Sequence, residues 1–248
     1  MDRTSRIKMI MQAAKEIKDG DVVLVGVGLP NIAANVAKKL YSPNMVMTYE
    51  SGSIDCAPQR QPLSIGDPSL SENVSCLYSI FDIFSYLIVG GRINVGYLGA
   101  AQIDPDGNLN TTVIGNYDTP DVRLPGSGGA CEILHNAKKS VIMMEFTESK
   151  FKSRVDFITS SRGGDLVKGD DTGKEEVIVT DKCVIRIREK GRAEISAVYR
   201  DVKFEELKIL SEKLGIILPE NVSEIDEPTE NEMNIIESID KTVGPSER

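Results

Sequence analysis

The chain has 248 residues, of which 40% are hydrophobic and 27% charged, a composition typical of a soluble globular protein with a sizeable core. The formal net charge is −9, and a net −7 of it lies between Glu220 and Arg248, so the acidity belongs mainly to the tail. This charge balance argues against nucleic-acid binding, which needs a basic patch, and no apolar run approaches the roughly 18 residues that span a bilayer.

The N-terminus and the cysteines bear on where the protein works. Residues 1–8 lack the apolar core of a secretion signal. Cys56, Cys76, Cys131 and Cys183 are scattered without Cys-x-x-Cys spacing, so neither a zinc site nor a disulfide framework is indicated. We therefore expect a cytoplasmic protein without a bound metal or a membrane anchor.

The first fifty residues have the pattern of a βαβ unit, whose two parallel strands are joined by a right-handed connection. Runs of consecutive apolar residues predict strands that helices cover on both faces. The predicted elements are a helix capped by Thr4 or Ser5 and ending before Gly20, a strand at Val22–Val25, a glycine-rich turn at Gly26–Asn31, a helix to about Leu40, and a strand at Met45–Tyr49.

The rest of the chain continues the alternation and predicts the α/β class, with an open, mainly parallel sheet and helices on both faces. A long polar loop follows Glu50. Beyond it we predict a helix at Phe81–Val89, a strand at Ile93–Leu98, a turn at Asp104–Asn108, a helix at Cys131–Asn136, a strand at Ser140–Met144, a hairpin of Cys183–Arg188 with Ala193–Val198, and helices at Phe204–Leu214 and Glu230–Asp240.

Glu50 is the candidate for chemistry with the most favourable position. It comes where the strand Met45–Tyr49 should end, and Ser51 and Gly52 then turn the chain away. Ligands of open α/β sheets bind beyond the carboxyl ends of the strands, and a glycine there lets a ligand approach the backbone closely. The alternative is a carboxylate that only caps a loop.

Two glycine-rich stretches could bind an anion. Gly126–Ala130 has three glycines in four positions before a predicted helix, and such backbone amides suit an anion or a developing oxyanion. The alternative is a flexible linker. Gly26–Asn31 resembles the dinucleotide fingerprint only weakly, because Asn31 stands in place of the third glycine, and it reads better as a tight turn near a site.

Other nucleophiles and bases are less well placed. His135, the one histidine, precedes Lys138 and Lys139, which suggests a surface helix end and a structural role, so histidine-dependent triads are disfavoured. Cys131 stands at a predicted helix start, where a thiolate is favoured, but a small buried residue is the simpler interpretation. A carboxylate nucleophile or base remains, and Glu50 fits it.

Several stretches together resemble the smaller (B) subunit of glutaconate coenzyme A-transferase and related family I CoA-transferases. The resemblance covers nearly the whole chain, and Glu-Ser-Gly with the later Gly-Ser-Gly-Gly-Ala is its most specific part. The stretches are Gly26–Pro30, Tyr41–Pro43, Glu50–Gly52, Gly99–Pro105, Ile114–Tyr117, Gly126–Ala130, Val155–Ser160, Glu227–Pro228 and Ile235–Asp240.

The resemblance implies the CoA-transferase fold in one domain, 1–248, with a core at about 3–160 and an extension at about 161–248. It implies that Glu50 attacks an acyl-CoA thioester and then carries CoA as a glutamyl thioester in a ping-pong transfer to a carboxylic acid. Coenzyme A would be a substrate, with no permanently bound cofactor. The residues implied for oxyanion stabilisation or CoA binding are Gly128, Gly129, Ala130, Gln102, Gly28, Ser51 and Gly52.

The resemblance also implies an obligate heteromer with an A subunit, as a dimer of heterodimers or larger. Two alternatives stay open: a subunit that hydrolyses a CoA thioester or a carbon–carbon bond, and a catalytically silent scaffold. The chain departs from the family at Thr159–Gly163, where a proline is often found. Ser71-Glu72-Asn73 resembles a nucleophile motif of other CoA-transferases, but its place in a polar loop marks it as coincidence.

Overall fold

The computed structural model describes residues 1–58, 60–161, 174–189 and 191–240. Two parts of the chain discussed above lie outside these ranges. They are Arg162 and Gly163, where the sequence departs from the family pattern, and residues 241–248 at the end of the acidic tail. The elements in chain order are α1 (Arg3–Ala14), β1 (Val22–Leu24), α2 (Leu29–Leu40), β2 (Val46–Thr48), β3 (Ser53–Ile54), a 3-10 turn (Pro68–Ser71), β4 (Cys76–Leu77), α3 (Ile80–Asp82) continued by a π-helix (Ile83–Ile88), β5 (Val95–Leu98), β6 (Gln102–Ile103), β7 (Leu109–Asn110), β8 (Val113–Gly115), β9 (Pro120–Arg123), α4 (Ala130–Asn136), β10 (Lys139–Met143), β11 (Glu175–Val179), β12 (Cys183–Ile187), β13 (Ala193–Tyr199), α5 (Phe204–Leu214), β14 (Ser223–Ile225) and α6 (Glu230–Asp240).

The chain forms two compact units. The parallel-sheet unit comprises Asp2–Leu98, Asn136–Val141 and the chain from Pro228 on. The antiparallel-sheet unit comprises Met1, Gly99–His135 and Ile142–Glu227. The prediction of one domain with a core at about 3–160 stays a prediction. No helix in the described ranges is long and apolar enough to cross a membrane.

The parallel-sheet unit is built on the predicted βαβ unit. Its strand order is β5-β1-β2-β3-β4, with β1 parallel to both β5 and β2 and with β3 and β4 antiparallel. Val23 and Leu24 point to opposite faces of β1 and both are buried, so both faces of the sheet are covered. Helices α1, α2 and α6 pack together within this unit. The α/β class with a mainly parallel sheet is thus confirmed.

The antiparallel-sheet unit contains the predicted hairpin and more strands than the sequence indicated. Strands β11, β12 and β13 are antiparallel neighbours, and β14 runs parallel to β13. Two small hairpins, β6 with β7 and β8 with β9, also belong to this unit, and the end of β10 lies next to β11. The hairpin of β12 and β13 was predicted nearly to the residue, as was α5.

The first helix begins earlier than predicted. Asp2 is its N-cap, because its carboxylate accepts hydrogen bonds from the Ser5 amide at 3.0 Å and the Ser5 hydroxyl at 2.8 Å. The prediction that Thr4 or Ser5 caps α1 is therefore wrong. Aspartate and serine cap helices about equally well. Residue type alone therefore does not decide which of several adjacent candidates is the N-cap.

The loop after Glu50 and the helix at Phe81–Val89 also differ from the prediction. The loop contains β3 and β4, which are two residues long and too short to show an alternating pattern. The helix changes after one turn to a π-helix, in which the Val89 amide donates to the Phe84 carbonyl at 2.8 Å, five residues back. Such single-turn π segments are frequent at functional sites.

Candidate active site

Three parallel strands end at one edge of the parallel-sheet unit. Strand β1 lies between β5 and β2 and is parallel to both, so their carboxyl ends face the same way. The chain goes from β1 to β2 on one side and comes back later as β5 on the other side. Ligands of α/β sheets bind in the crevice at such a switch of strand order. The predicted residues Gly28 and Glu50 follow β1 and β2 at this edge.

Glu50 lies in a tight turn between β2 and β3, which we call the Glu50 turn (Tyr49–Ser53). The Tyr49 amide donates to the Ser53 carbonyl at 3.0 Å, and the Gly52 amide donates to the Tyr49 carbonyl at 3.0 Å. These bonds flank Glu50 on both sides. Its side chain is half-buried, whereas the neighbouring Ser51 is exposed. The turn therefore holds the backbone of Glu50 firmly at the strand end.

Gly52 is required by both its backbone and its neighbours. Its φ is +110°, which residues with a Cβ rarely adopt. A Cβ at this position would lie 1.8 Å from the carbonyl oxygen of Tyr78. The Tyr78 amide in turn donates to the Gly52 carbonyl at 2.9 Å. The glycine predicted for close backbone approach thus allows the chain around β4 to pack against the Glu50 turn.

A chain of buried polar side chains joins the Glu50 turn to the start of α2. The Tyr49 hydroxyl donates to the Asn31 carboxamide oxygen, and the Asn31 carboxamide nitrogen donates to the Gln61 carboxamide oxygen. Tyr49 and Asn31 are both fully buried, and burial raises the pKa of Tyr49, so its phenol stays protonated and remains a donor. We call these three side chains the Tyr49 relay.

The hairpin of β2 and β3 is also fixed by an ion pair, at the end away from the Glu50 turn. Lys38 contacts the Asp55 carboxylate and also donates to the Met45 carbonyl at 3.3 Å. Asp55 has a left-handed backbone, with φ at +52°, and its amide donates to the Met47 carbonyl at 2.6 Å. A side chain from α2 thereby ties β3 to β2, on which Glu50 depends for its position.

Gly28 is the N-cap of α2. Its φ of +81° is one that glycine adopts without strain, and its carbonyl accepts from the Ile32 amide at 3.2 Å. Pro30 in the first turn lacks an amide hydrogen, which costs nothing at that position because the first amides have no partner within a helix. The turn predicted between β1 and α2 is therefore present, at the same sheet edge as Glu50.

The predicted oxyanion residues belong to the antiparallel-sheet unit. Gly126 and Gly128 have φ values of +98° and +50°, and a Cβ at either position would meet no atom within 4 Å, so the space beside this turn is open. The Gly126 amide donates to the Thr111 carbonyl at 2.8 Å, and the Ala130 amide donates to the Ser127 carbonyl at 2.9 Å. Of the three predicted donors, Ala130 is thus engaged within the turn.

Gln102 is 1% exposed and belongs to a buried polar network in the same unit. Its carboxamide nitrogen donates to Asp156 at 2.8 Å, and its oxygen accepts from the Asn110 side chain at 2.8 Å and the Asp156 amide at 3.0 Å. Hydrogen bonds from the Gly115 amide and from Gln102 lower the pKa of Asp156. One of the two Nε2 protons of Gln102 is therefore used by Asp156.

This network is connected to the glycine turn (Gly126–Ala130) through neighbouring residues. Asn110 precedes Thr111, whose carbonyl accepts the Gly126 amide and whose amide donates to the Thr159 hydroxyl at 2.9 Å. The Cys131 thiol donates to the Thr159 carbonyl at 2.9 Å and accepts from Ser127 at 3.1 Å. Gln102 and the predicted oxyanion residues are thus joined within one unit, whereas Glu50, Ser51, Gly52 and Gly28 belong to the other.

The remaining candidates from the sequence lie where a structural role fits them. His135 is exposed, and its carbonyl contacts the Lys174 ammonium. Cys131 is half-buried rather than fully buried. Glu72 follows the 3-10 turn in an exposed loop, as the polar context of Ser71-Glu72-Asn73 indicated. Within the described residues, no group of three or more His, Cys, Asp or Glu is placed to hold a metal ion.

Sequence reasoning did not identify Asn31, Tyr49 or Asp156 as site residues. In the sequence, Asn31 stands out only because it breaks a glycine motif, and Tyr49 only because it ends a strand. A signal was available in both cases, because a polar group placed in an otherwise apolar segment must find a partner when buried. Asp156 gave no local signal, since its partner Gln102 is 54 positions away.

Comparison with known proteins gives a consistent result. The model of the family "Coenzyme A transferase" matches residues 7–202. The B subunit of the 3-oxoadipate CoA-transferase from Pseudomonas knackmussii is 42% identical over 239 residues, which cover 94% of this chain and 91% of that relative. The B subunit of the glutaconate CoA-transferase from Acidaminococcus fermentans is 38% identical over 213 residues, covering 80% of this chain and 79% of that relative.

A solved structure agrees with these relatives. The crystal structure of glutaconate coenzyme A-transferase from Acidaminococcus fermentans superposes with a TM-score of 0.81 at 32% sequence identity. The match covers 96% of this chain and 95% of that chain.

Proposed function

The chain belongs to the coenzyme A transferase family, and from this premise we propose that it is the B-type subunit of a heteromeric enzyme that moves CoA between an acyl-CoA and a carboxylic acid. We further propose that Glu50 is the nucleophile. The observation that carries the proposal is the placement of Glu50: a half-buried carboxylate in a hydrogen-bonded turn at the carboxyl end of a central parallel strand.

The proposed reaction proceeds in two covalent halves. A Glu50 oxygen attacks the thioester carbonyl, and the carbon–sulfur bond breaks. CoA departs as a thiolate, and the acyl group stays on Glu50 as an acyl-glutamyl anhydride. The thiolate then attacks the glutamyl carbonyl, so the first acid leaves as a carboxylate and CoA remains as a thioester of Glu50. The acceptor carboxylate reverses these steps and regenerates Glu50. No atom is oxidised, and each half is easier than the direct exchange.

Each tetrahedral intermediate carries an oxyanion that needs hydrogen-bond donors. We assign this role to backbone amides of the glycine turn, chiefly Gly128 and Gly129, since the Ala130 amide donates to Ser127. Open space beside Gly128 supports the assignment. Loss of one donor in a comparable site costs about 100- to 1,000-fold in kcat.

Gln102 could add a donor only with its second Nε2 proton, and its network with Asp156 supports a positioning role. We assign Gly28, Ser51 and Gly52 to shaping the CoA side of the site.

The names of the relatives bear on partner and substrate. Both relatives are named as the B subunits of their enzymes, so we propose that this chain works with a different, A-type subunit as an obligate heteromer. 3-Oxoadipate and glutaconate are both short dicarboxylic acids, and we propose the same class as acceptor here. CoA enters as a substrate, with no permanently bound cofactor.

The test is to trap CoA on Glu50. The complex of this chain with its A-type subunit is incubated with an acyl-CoA and no acceptor, and its peptides are mapped by mass. We expect one CoA adduct, on the peptide that contains Glu50. Borohydride reduces a thioester but not a free carboxylate, so it should convert this residue to an alcohol and abolish activity.

Variants complete the test. Glu50→Gln should lose the adduct and the transfer, and Glu50→Asp should lose about 100-fold because the carboxylate is withdrawn by about 1 Å. Glu72→Gln is the matched control, as it removes the carboxylate of the Ser-Glu-Asn motif and should leave transfer unchanged. An adduct on Glu72, or near-normal transfer by Glu50→Gln, would refute the assignment. Stoichiometric release of free CoA without an acceptor would instead indicate a hydrolase.

A further inference from the structure

A compact loop joins β3 to β4 in the parallel-sheet unit. Its two ends meet, because the Ala57 amide donates to the Glu72 carbonyl at 3.1 Å and the Asn73 carboxamide donates to the Ala57 carbonyl at 3.3 Å. Loops with adjoining ends and an interior packed by their own side chains are called Ω-loops and are frequently functional. We use the name Ω-loop for residues 57–58 and 60–73. Leu70, which is 2% exposed, packs in its interior.

Asp67 is the centre of the Ω-loop. It is buried, and its carboxylate accepts four hydrogen bonds. Two come from the Arg60 guanidinium, both at 2.7 Å, and the others come from the Leu63 amide at 2.9 Å and the Ser69 amide at 3.0 Å. A bidentate pair of arginine with a carboxylate is among the strongest and most directional hydrogen-bonded arrangements. These bonds, that from Arg60 above all, lower the pKa of Asp67, so the carboxylate is ionised.

The groups that bind Asp67 lie on both sides of Gln61. Arg60 precedes Gln61, and its Nη1 atom also donates to the Gln61 carbonyl at 3.1 Å. Leu63, whose amide donates to Asp67, follows two residues after Gln61. The backbone of Gln61 is therefore held between two partners of one carboxylate. Because the ends of the Ω-loop are closed by bonds of their own, these contacts fix Gln61 in particular.

Gln61 is also the outer member of the Tyr49 relay. Its carboxamide oxygen accepts from the Asn31 carboxamide nitrogen, and the Asn31 oxygen accepts from the Tyr49 hydroxyl. With Gln61 in place, Asn31 presents its nitrogen to the Ω-loop and its oxygen to Tyr49. Asn31 is 1% exposed, so displacement of Gln61 would remove the acceptor of a buried donor, which is more costly than losing an exposed hydrogen bond. A continuous series of bonds thus leads from Asp67 to the residue before Glu50.

We propose that Asp67 is a positioning residue for Glu50: it holds Gln61 through Arg60, and the Tyr49 relay carries this constraint to the end of β2. The inference rests on the proposed function, in which Glu50 is the nucleophile. Asp67 needs no contact with the substrate in this role. Attack requires the reacting atoms to lie about 3–3.5 Å apart, and a misplacement of about 1 Å can cost roughly 100-fold in rate. The Ω-loop limits such a displacement from the side of α2.

The test measures kcat and KM of CoA transfer by the complex with the A-type subunit. Asp67→Asn keeps the size of the side chain but cannot accept both guanidinium bonds, and Gln61→Leu removes only the acceptor of Asn31. We expect each variant to lower kcat about tenfold, less than a full 1 Å displacement would, with the KM for acyl-CoA unchanged within about twofold. Asp19→Asn is the matched control. Its carboxylate accepts from the Asn44 amide at 2.7 Å and carboxamide at 2.8 Å, before the amino ends of β1 and β2, so this variant should keep kcat.

A double-mutant cycle separates positioning from a general loss of stability. If Asp67 acts through the relay, a chain with both Asp67→Asn and Tyr49→Phe should lose only about tenfold in kcat, whereas independent effects would multiply to about 100-fold. Multiplied losses, a normal kcat in either Asp67→Asn or Gln61→Leu, or an equal loss in Asp19→Asn would overturn the inference and leave the proposed function standing. A wild-type complex that transfers no CoA would refute the proposed function and this inference with it.

Discussion

Tyr49 places the backbone before Glu50, and its hydroxyl donates to the Asn31 carboxamide oxygen. It is held by two backbone bonds and by the relay, so the position of Glu50 depends on the buried side chain of the residue before it. Local sequence could predict that Glu50 ends a strand. It could not predict the relay, because the partners Asn31 and Gln61 come from separate parts of the chain.

We expect Tyr49→Phe to lower kcat about tenfold with little change in KM, because the turn loosens while the CoA contacts stay. The loss of one buried hydrogen bond should also cost about 1 kcal/mol of stability. Tyr97→Phe is the control, since the buried Tyr97 hydroxyl donates to the Ala13 carbonyl at 2.6 Å without contacting the turn. Equal losses of kcat in the two variants would show that stability, and not placement, is responsible.

Gly52→Ala should disable the site more completely. Its Cβ would overlap the Tyr78 carbonyl oxygen at 1.8 Å and would force alanine into a left-handed backbone conformation. The chain around β4 must then move, which removes the bond between Tyr78 and the Glu50 turn. Limited proteolysis should cut this loop faster, and transfer should fall by about 100-fold. Gly66→Ala, whose nearest neighbour would be 3.9 Å away, should show neither change.

At the scale of whole elements, the sequence predicted the long, regular pieces and missed the short ones. Helices α2, α5 and α6 and strands β1 and β2 have strong periodicity or apolar runs, and their bounds agree with the prediction within about two residues. Strands β3 and β4 have two residues each and form because a tight turn and Gly52 bring them together. A pattern needs more residues than that to be readable.

One buried carboxylate on helix α6, that of Glu232, is bonded to several residues of the parallel-sheet unit. Glu232 accepts from the Thr229 amide and hydroxyl, both at 2.7 Å, and also contacts the Tyr41 hydroxyl and, at 3.3 Å, the Lys15 ammonium. Burial alone would raise the pKa of Glu232, but the hydrogen bonds from Tyr41 and Thr229 and the charge of Lys15 hold it at about 2. Its ionised form is thus favoured in the folded protein.

This shift has a definite sign. The folded pKa lies below the unfolded value, so Glu232 stabilises the fold fully above about pH 4.5 and loses this contribution as the pH falls from there toward 2. We expect Glu232→Gln to cost about 2 kcal/mol at pH 7, and the difference from wild type to shrink below pH 4.5 in denaturant titrations. Glu237→Gln removes a surface ion pair with Arg3 and should cost little at any pH. A difference that grows on acidification would contradict the assignment.

At the scale of the whole molecule, the exposed apolar side chains on β4, α3 and the π-helix and the subunit names of the relatives point the same way. The purified single chain should transfer no CoA and should self-associate as its concentration rises, because exposed apolar side chains such as Phe81 and Tyr86 stay in contact with water. Addition of the A-type subunit should restore activity and dissolve the self-associated form. Light scattering and an acyl-CoA exchange assay, run on the same samples, check both statements. Robust transfer by the single chain would refute them.

The class of fold could be predicted at this scale, but the assembly of the site could not. The α/β class follows from the alternation of elements, whereas the placement of Gln102 in a network with Asp156 depends on contacts far apart in the chain. In the sequence, Phe81, Tyr86 and Val89 look like residues of an ordinary buried helix. Only the structure reveals that they are exposed.

The π-helix at Ile83–Ile88 makes this segment of the chain sensitive to insertions and deletions. A π-turn holds one residue more than an α-turn, and each residue added to or removed from a helix rotates everything beyond it by about 100°. Deleting one residue, such as Ser85, would restore the α-helical register and rotate the residues beyond the deletion by about 100° relative to those before it. A single codon gained or lost here is therefore enough to change which side chains this segment presents to solvent, with the hairpin of β2 and β3 left untouched.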